Sequence, residues 1–241
     1  MNDHSTNLAL LKKRLRWPLA FVASLWIVHL TKIFLGWDLG FLGVLPQTKQ
    51  GLIGIFTAPF IHGDLPHLIS NTIPLVGMLL IMVLVYPRVA FKSFMLIYVL
   101  TGISVWIFGR KMVFHIGASG VVYGLVAFVF WSGVFRRSMK SIVLALIMVV
   151  IYTPMFAGIF PNKEGVSWES HLLGAIMGVF TSFYFKQELE VDEMEESNHI
   201  VDPEMEAKAY FFPRDVFEKT KAERAAEQLR NSQNWMSDTS L

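Results

Sequence analysis

The sequence predicts an all-α membrane protein with a bundle of six transmembrane helices. Of the 241 residues, 54% are hydrophobic and the mean hydropathy is +0.48, which exceeds what a water-soluble domain needs. Apolar runs of about 20 residues recur along the chain, and a helix of that length crosses a bilayer. Residues 65–163 contain no Asp or Glu. These three observations place most of the chain in the hydrocarbon core.

The apolar runs define six spans, numbered here in chain order. They cover residues 18–36, 67–86, 90–108, 119–135, 141–160 and 168–185. At about 1.5 Å per residue, such helices can cross a core of about 30 Å. Residues 41–61 are also apolar, but glycines and prolines interrupt them, so we expect a long, partly embedded loop rather than a seventh span. The interrupting residues are Gly43, Pro46, Gly51, Gly54 and Pro59.

The basic residues near the span ends set the orientation of the bundle. Ten Lys and Arg residues fall on the side of the two termini, and four fall on the opposite side. By the positive-inside rule both termini are cytoplasmic, and the 41–61 loop and the starts of spans 4 and 6 face the exterior. The sequence thus predicts an integral protein of the cell membrane. Cysteine is absent, which excludes thiolate metal sites and cysteine catalysis.

Charge divides the chain into regions. Residues 1–186 hold 15 Lys and Arg against 5 Asp and Glu, whereas residues 187–241 hold 6 against 14. We therefore predict a basic cytoplasmic N-terminus (1–17), a six-span core (18–186) and an acidic cytoplasmic tail (187–241). In the tail, the pattern predicts a solvated acidic segment and a loosely amphipathic helix over about 204–235, serving as a solvated or docking segment.

A glycine-flanked serine begins span 4. The flanking Gly117 and Gly120 remove side chains around Ser119, so a neighbouring helix and a substrate backbone can come close. The first turn of a helix also offers unpaired N–H groups for an oxyanion. The same motif is compatible with helix packing through small residues, and the motif by itself leaves both interpretations open.

Polar residues also mark the entrance to span 2. His67 and Asn71 are four residues apart, so on a helix they share one face and direct two hydrogen-bond donors toward a common point. Buried polar side chains in a membrane need a task or a partner, and helix packing is an alternative task. His62 precedes Pro66 on loop or pre-helix backbone, and we assign it a structural role.

Span 6 begins with a histidine on a glycine groove. His171, Gly174 and Gly178 lie at i, i+3 and i+7, so the imidazole shares a helix face with two glycines. Such a groove lets a partner helix approach closely. If the partner is span 4, it presents Ser119 to His171.

Together these motifs resemble the rhomboid family of intramembrane serine proteases. They read H-x4-H-x3-N, G-x-S-G with a tyrosine four residues after the serine, and H-x2-G-x3-G, on spans 2, 4 and 6 in the family's order, and the match covers residues 15–186. The matching residues are His62, His67, Asn71, Gly117, Ser119, Gly120, Tyr123, His171, Gly174 and Gly178. The chain departs from the family in lacking a Trp-Arg pair in residues 41–61 and in carrying Ser170 where Ala is common.

The resemblance implies a role for each of these residues. Ser119 would be the nucleophile and His171 its general base. His67, Asn71 and the backbone N–H of Ser119 would form the oxyanion hole, and Tyr123 would pack against the His171 ring. The substrates would be single-span membrane proteins whose helix top unwinds within the lipid bilayer. The prediction includes no metal, cofactor or nucleic acid.

A serine hydroxyl needs a base to become a good nucleophile, and the carboxylates that could complete a triad are few. Glu164 and Glu169 are near His171 in sequence, but neither is clearly positioned, so we expect a Ser-His dyad. His115 is a rival base, although it is expected in the loop before span 4 and lacks a glycine groove.

Other functions fit the sequence less well. A zinc protease would want H-E-x-x-H, which is missing, and Asp64 is the one carboxylate near span 2. An aspartyl protease is excluded by the carboxylate-free stretch, and a transporter would want half-helices or intramembrane charges. The remaining alternative is an inactive rhomboid-like protein that binds and escorts membrane clients. Such proteins usually lose the serine or the histidine, and this chain has both.

Overall fold

The computed structural model describes residues 3–161, 167–194, 219–223 and 226. Over these ranges the protein is helical and no strand is present, apart from an isolated bridge between Val44 and His115. The helices are α1 (Asp3–Leu35), α2 (Gly51–Thr57), α3 (Leu65–Val85), α4 (Ala90–Phe108), α5 (Ser119–Arg136), α6 (Met139–Tyr152) and α7 (Trp168–Tyr184). Short 3-10 turns cover Gly40–Leu42, Ala58–Phe60 and Thr153–Ile159.

Each of the six predicted spans contains a helix. In the described part of the chain, α1 (over Leu8–Leu35), α3, α4 and α5 are long and apolar enough to cross a membrane, whereas α6 is a shorter apolar helix. Large hydrophobic side chains such as Phe34 and Val150 point outward, at 87% and 78% exposure. An outer surface of this kind is unfavourable in water and suits lipid. The all-α membrane class is thereby confirmed, and the count of six crossings stays a prediction.

The first helix differs from its prediction at the N-terminal end. The apolar run starts at residue 18, yet α1 begins at Asp3 and continues through Pro18. The helix therefore runs through the basic N-terminal region without a break before the span. Basic and polar residues of that region have adequate helix propensity, and hydropathy reports where a membrane begins rather than where a helix begins.

Residues 41–61, for which a long, partly embedded loop is predicted, pack against α4 and include the short helix α2. The backbone of Ile55 lies so close to Gly102 on α4 that a Cβ there would be 2.8 Å from the Ile55 carbonyl oxygen. The Tyr98 hydroxyl donates to the Phe56 carbonyl at 2.5 Å, and the Trp106 indole donates to the Thr48 carbonyl at 2.9 Å. Side chains of α4 thus satisfy loop carbonyls that would otherwise be costly to bury.

Helix α5 lies at the centre of the bundle, where it packs against α3, α4, α6 and α7. Its contact with α7 is made by glycine backbone. A Cβ on Gly174 would lie 2.0 Å from the Gly120 carbonyl oxygen, and one on Gly178 would lie 2.0 Å from that of Gly124. No side chain fits between the helices at these positions. The small residues therefore set the distance between α5 and α7.

Two compact units are present, residues 1–190 and residues 191–241. At the end of the first unit, the Glu190 carboxylate accepts from the Arg88 backbone N–H at 3.1 and 3.3 Å, and Glu188 pairs with Lys92 at 3.2 Å. The predicted domain boundary after residue 186 stays a prediction. Most of the amphipathic helix predicted over 204–235 lies outside the described residues.

Candidate active site

Ser119 is the first residue of α5, so the helix leaves its backbone N–H without an internal partner. The chain reaches it through Gly117, whose φ of +100° favours glycine. The Gly117 N–H donates to the Ala58 carbonyl at 2.9 Å, which fixes the approach to the helix. The serine side chain is half-buried. Its hydroxyl therefore sits at a helix start and can still be reached by another molecule.

His171 lies on the first turn of α7 and faces Ser119. Its Nε2 is 2.8 Å from the Ser119 Oγ, a normal hydrogen-bond distance. The imidazole is buried, with 8% of its surface exposed. This distance depends on the glycine contact one turn further along, where Gly174 meets Gly120.

The His171 ring has two more neighbours. Tyr123 stacks on it with ring centroids 4.2 Å apart and planes 9° from parallel. The Tyr123 hydroxyl donates to the Met155 carbonyl at 2.6 Å, and the Nδ1 of His171 is 2.8 Å from the Gly158 carbonyl oxygen. Both carbonyls belong to the 3-10 turn that follows α6.

His67 and Asn71 lie on the first two turns of α3. Asp64 caps this helix, accepting from the His67 N–H at 2.7 Å. The His67 ring lies over Gly117, where a Cβ would be 2.8 Å from Nε2. Asn71 donates one amide N–H to the His67 carbonyl at 2.8 Å, and its buried Oδ1 has no hydrogen bond. One amide N–H of Asn71 is thus used within the helix, and the amide has a second one to offer.

The proposed site residues line a common cavity of about 1170 Å³. Its walls come from α3, α5, α6, α7 and the loop before α5. Ser119, His171, His67 and Asn71 are all on its surface, together with Tyr123. The cavity therefore brings together the residues that the sequence predicts for the nucleophile, the base and the oxyanion hole.

His62 does not line this cavity. It is 1% exposed, and its ring meets the His67 ring edge to face at 5.0 Å. No hydrogen bond of normal geometry reaches either ring nitrogen, while the Lys32 ammonium donates to the His62 and Gly63 carbonyls at 2.9 Å. Burial, with a smaller contribution from His67, lowers the pKa of His62 to about 4. His62 is therefore a neutral ring packed behind His67.

The rival base, His115, is bonded elsewhere. It lies in the loop before α5, where Nε2 is 3.2 Å from the Arg110 carbonyl oxygen and Nδ1 contacts the hydroxyls of Ser167 and Ser170. Burial lowers its pKa below the ordinary value for histidine. Its ring connects the loop before α5 to the start of α7 and makes no hydrogen bond with Ser119.

Of the two carboxylates considered for a triad, Glu169 makes its ion pair elsewhere. The Glu169 carboxylate pairs with the Arg110 guanidinium at 3.3 Å. Glu164 lies outside the described residues. Among the residues that the structure describes, the hydrogen-bond partners of the His171 ring are Ser119 and Gly158.

Sequence reasoning missed three parts of this arrangement. Gly124 meets Gly178, and the spacing of Gly120 and Gly124 repeats that of Gly174 and Gly178, which is a signal that could have identified it. The carbonyls of Met155 and Gly158 left no such signal, because every residue has a carbonyl.

Comparison with known proteins gives two findings. The family model described as "Rhomboid domain" matches residues 49–188. Uncharacterized proteins of Mycobacterium bovis and Mycobacterium tuberculosis are 34% identical over 185 residues, which covers 71% of this chain and 77% of each relative. An uncharacterized protein of Mycobacterium leprae is 31% identical over 186 residues, covering 71% of this chain and 73% of the relative.

Proposed function

The chain belongs to the rhomboid family, and from this premise we propose that it is an intramembrane serine protease that cleaves membrane proteins. The observation that carries the proposal is the 2.8 Å distance between the Ser119 Oγ and the His171 Nε2 in a cavity of a helical membrane bundle. A base at this distance can take the hydroxyl proton as the oxygen attacks a carbonyl carbon. The family generally contains serine proteases, which supports this assignment.

In the proposed reaction, the Ser119 Oγ attacks the carbonyl carbon of the scissile peptide bond while its proton passes to the His171 Nε2. The tetrahedral intermediate carries a negative oxygen, which the Ser119 N–H, the His67 ring and the second amide N–H of Asn71 would bind in this proposal. When the C–N bond breaks, the imidazolium gives its proton to the leaving amine. An ester on Ser119 remains.

A water molecule then attacks this ester, and His171 takes its proton. Collapse of the second intermediate breaks the bond to Ser119, whose oxygen receives the proton back. The second product leaves as a carboxylic acid. Over the whole cycle, His171 accepts two protons and donates two, and the dyad returns to its starting state. No metal or cofactor takes part in these steps.

The proposal includes six crossings with both termini in the cytoplasm. Helices α6 and α7 have 14 and 17 residues, about 21 Å and 26 Å at the usual rise, so both are shorter than a core of about 30 Å. Their outer ends border the cavity, and water can enter there from the exterior. The substrates we propose are single-span proteins, because a helix must unwind locally before its peptide bond is open to attack.

The test is cleavage in proteoliposomes of a fluorogenic single-span substrate. Ser119→Ala and His171→Ala should each lower kcat by at least about 10³-fold, since nucleophile and base act as a unit. Ser93→Ala makes the same change at a buried position on α4 and should cleave like the wild type. A fluorophosphonate probe should label the wild type and Ser93→Ala but not Ser119→Ala.

The alternative is an inactive rhomboid-like protein that binds clients. It is supported if purified wild type neither cleaves any of a panel of single-span substrates nor reacts with the probe, yet still co-purifies with such a substrate. Residual cleavage by Ser119→Ala would instead exclude the serine mechanism.

A further inference from the structure

The Nδ1 of His171 is 2.8 Å from the carbonyl oxygen of Gly158, on the 3-10 turn Thr153–Ile159. A carbonyl oxygen can only accept a hydrogen bond, so the hydrogen must be on Nδ1. A neutral imidazole carries one N–H, which leaves Nε2 with a lone pair. That lone pair faces the Ser119 hydroxyl at 2.8 Å. One backbone bond thus fixes the tautomer in which Nε2 can act as a base.

The same turn also holds the ring that stacks on His171. The Tyr123 hydroxyl donates to the Met155 carbonyl at 2.6 Å, and the two rings are 4.2 Å apart. Residues three apart on one turn therefore bind the polar edges of both rings. The plane of the imidazole is set by Tyr123, and its rotation within that plane is set by Gly158.

Side chains do not supply this acceptor in the described part of the chain. Glu169, which is two residues before His171, pairs with Arg110. The described hydrogen bonds of the His171 ring go to Ser119 and Gly158. The position that an aspartate occupies in a catalytic triad is therefore taken by a backbone carbonyl.

We infer that Gly158 is a positioning residue, whose carbonyl orients His171 and selects the tautomer that activates Ser119. This inference rests on the proposed protease function. The carbonyl also faces the imidazolium that forms after proton transfer, where its partial negative charge is favourable. Without it, the proton can sit on Nε2, and a protonated Nε2 cannot accept the serine proton.

Glycine is needed here because of the stacked pair. A Cβ on Gly158 would lie 2.1 Å from the Tyr123 Oη and 3.2 Å from the His171 Nδ1. Gly158→Ala must therefore shift either the turn or the Tyr123 ring that stacks on His171. We expect kcat to fall at least about tenfold, with KM nearly unchanged, because tautomer selection affects the chemical step. Ala157→Ser adds one heavy atom at the neighbouring exposed position and should keep the wild-type kcat.

A backbone ester tests the carbonyl without adding any atom. Replacing Ile159 by its α-hydroxy acid makes the Gly158 carbonyl an ester carbonyl, which is a weaker acceptor, and should lower kcat at least about fivefold. Replacing Gly158 by glycolic acid is the matched control, because it weakens the Ala157 carbonyl and leaves that of Gly158 an amide. An equal loss of kcat in both esters, or no loss in the first, would overturn the inference.

The tautomer can be read without any turnover. In protein with ¹⁵N-labelled histidine, the signal that disappears in His171→Asn should have its proton on Nδ1 at neutral pH, and Gly158→Ala should move part of that signal to the Nε2–H form. A wild-type His171 with its proton on Nε2 would overturn the inference even if the protein cleaves substrate. If the Nδ1–H form is present but the protein never cleaves, the protease proposal fails and the assignment of Gly158 stands.

Discussion

Asn71 uses its two amide hydrogens differently. One goes to the His67 carbonyl at 2.8 Å, which holds the side chain against α3, and the other is available at the cavity surface. The buried Oδ1 has no hydrogen bond, so the amide is only partly satisfied. A group kept in this state costs stability, which is common for residues that serve binding or catalysis.

Asn71→Ala should therefore slow catalysis without unfolding the protein. Losing one oxyanion donor typically costs about 10²–10³ in kcat, and we expect a loss toward the lower end because the Ser119 N–H and His67 remain. KM should change little, since the donor acts on the intermediate. Thermal melting in detergent should give nearly the wild-type Tm. Wild-type kcat with a lowered Tm would show that Asn71 serves packing instead.

His62 gives the stability a pH dependence. Its pKa is about 4 in the folded protein, against the ordinary value of 6.5. Between these two values the unfolded chain binds a proton that the folded protein does not, so stability falls as pH drops from 6.5 to 4 and this effect is complete below 4. The pKa difference between 6.5 and about 4 corresponds to a loss of up to about 3 kcal/mol in the free energy of unfolding.

We expect the Tm of the wild type to fall steadily over this pH window and that of His62→Phe to fall less. Phenylalanine keeps an aromatic ring against His67 but cannot be protonated. Melting curves at half-unit pH steps would measure both slopes. Parallel curves for the two proteins would show that His62 does not become protonated on unfolding in this range.

At the scale of elements, the contact between α5 and α7 determines the site. Gly120 and Gly124 face Gly174 and Gly178 with no side chain between the backbones, and this contact brings the first turns of both helices together. Ser119 and His171 are on those turns. The separation of the proposed nucleophile and base is thus set by four residues that have no side chains.

Even Gly174→Ala should disturb the site, because its Cβ would lie 2.0 Å from a backbone carbonyl that cannot rotate away. We expect a Tm lowered by several degrees and a loss of most activity, and Gly174→Leu should abolish activity while the protein still inserts in the membrane. Gly77→Ala is the control for stability, since a Cβ there would have only the end of the Tyr152 side chain near it, at 3.2 Å from the hydroxyl oxygen. Equal Tm values for Gly174→Ala and Gly77→Ala would contradict this account.

The helices were largely predictable from the sequence because apolar runs in membranes are long and uninterrupted. Helix α2 was not predicted, since its seven residues lie among glycines and prolines and depend on packing against α4. In the site, side chains that belong to a distinctive sequence motif, such as His171 on its glycine groove, could be predicted from the sequence. The Gly158 carbonyl could not, because its position depends on how the turn after α6 folds over Tyr123 and His171.

At the scale of the whole molecule, the charge pattern predicts which end of the bundle faces the cytoplasm. Basic residues at the turn between α5 and α6 and around Arg88 belong to one end, and the loop before α5 belongs to the other. Moving several Lys or Arg side chains across a bilayer is costly, so the orientation set at insertion persists.

Because the sequence has no cysteine, single-cysteine variants can test this orientation without background. Met112 is 94% exposed in the loop before α5, and Lys140 is exposed at the start of α6. A membrane-impermeant maleimide should label Met112→Cys in intact cells, and it should label Lys140→Cys only after the membrane is permeabilised. The reverse pattern would place both termini outside.

The contact of Gly120 and Gly124 with Gly174 and Gly178, here called the glycine seam, also limits which substitutions can accumulate in this protein during evolution. Every residue that replaces a glycine brings a Cβ, and at Gly174 and Gly178 any Cβ would overlap a carbonyl oxygen at 2.0 Å. Substitutions of these glycines are therefore not tolerated, whereas the lipid-facing residues can exchange freely among apolar types. In a saturation scan scored by substrate cleavage, the glycine seam should accept almost nothing, although it contributes no atom to the reaction.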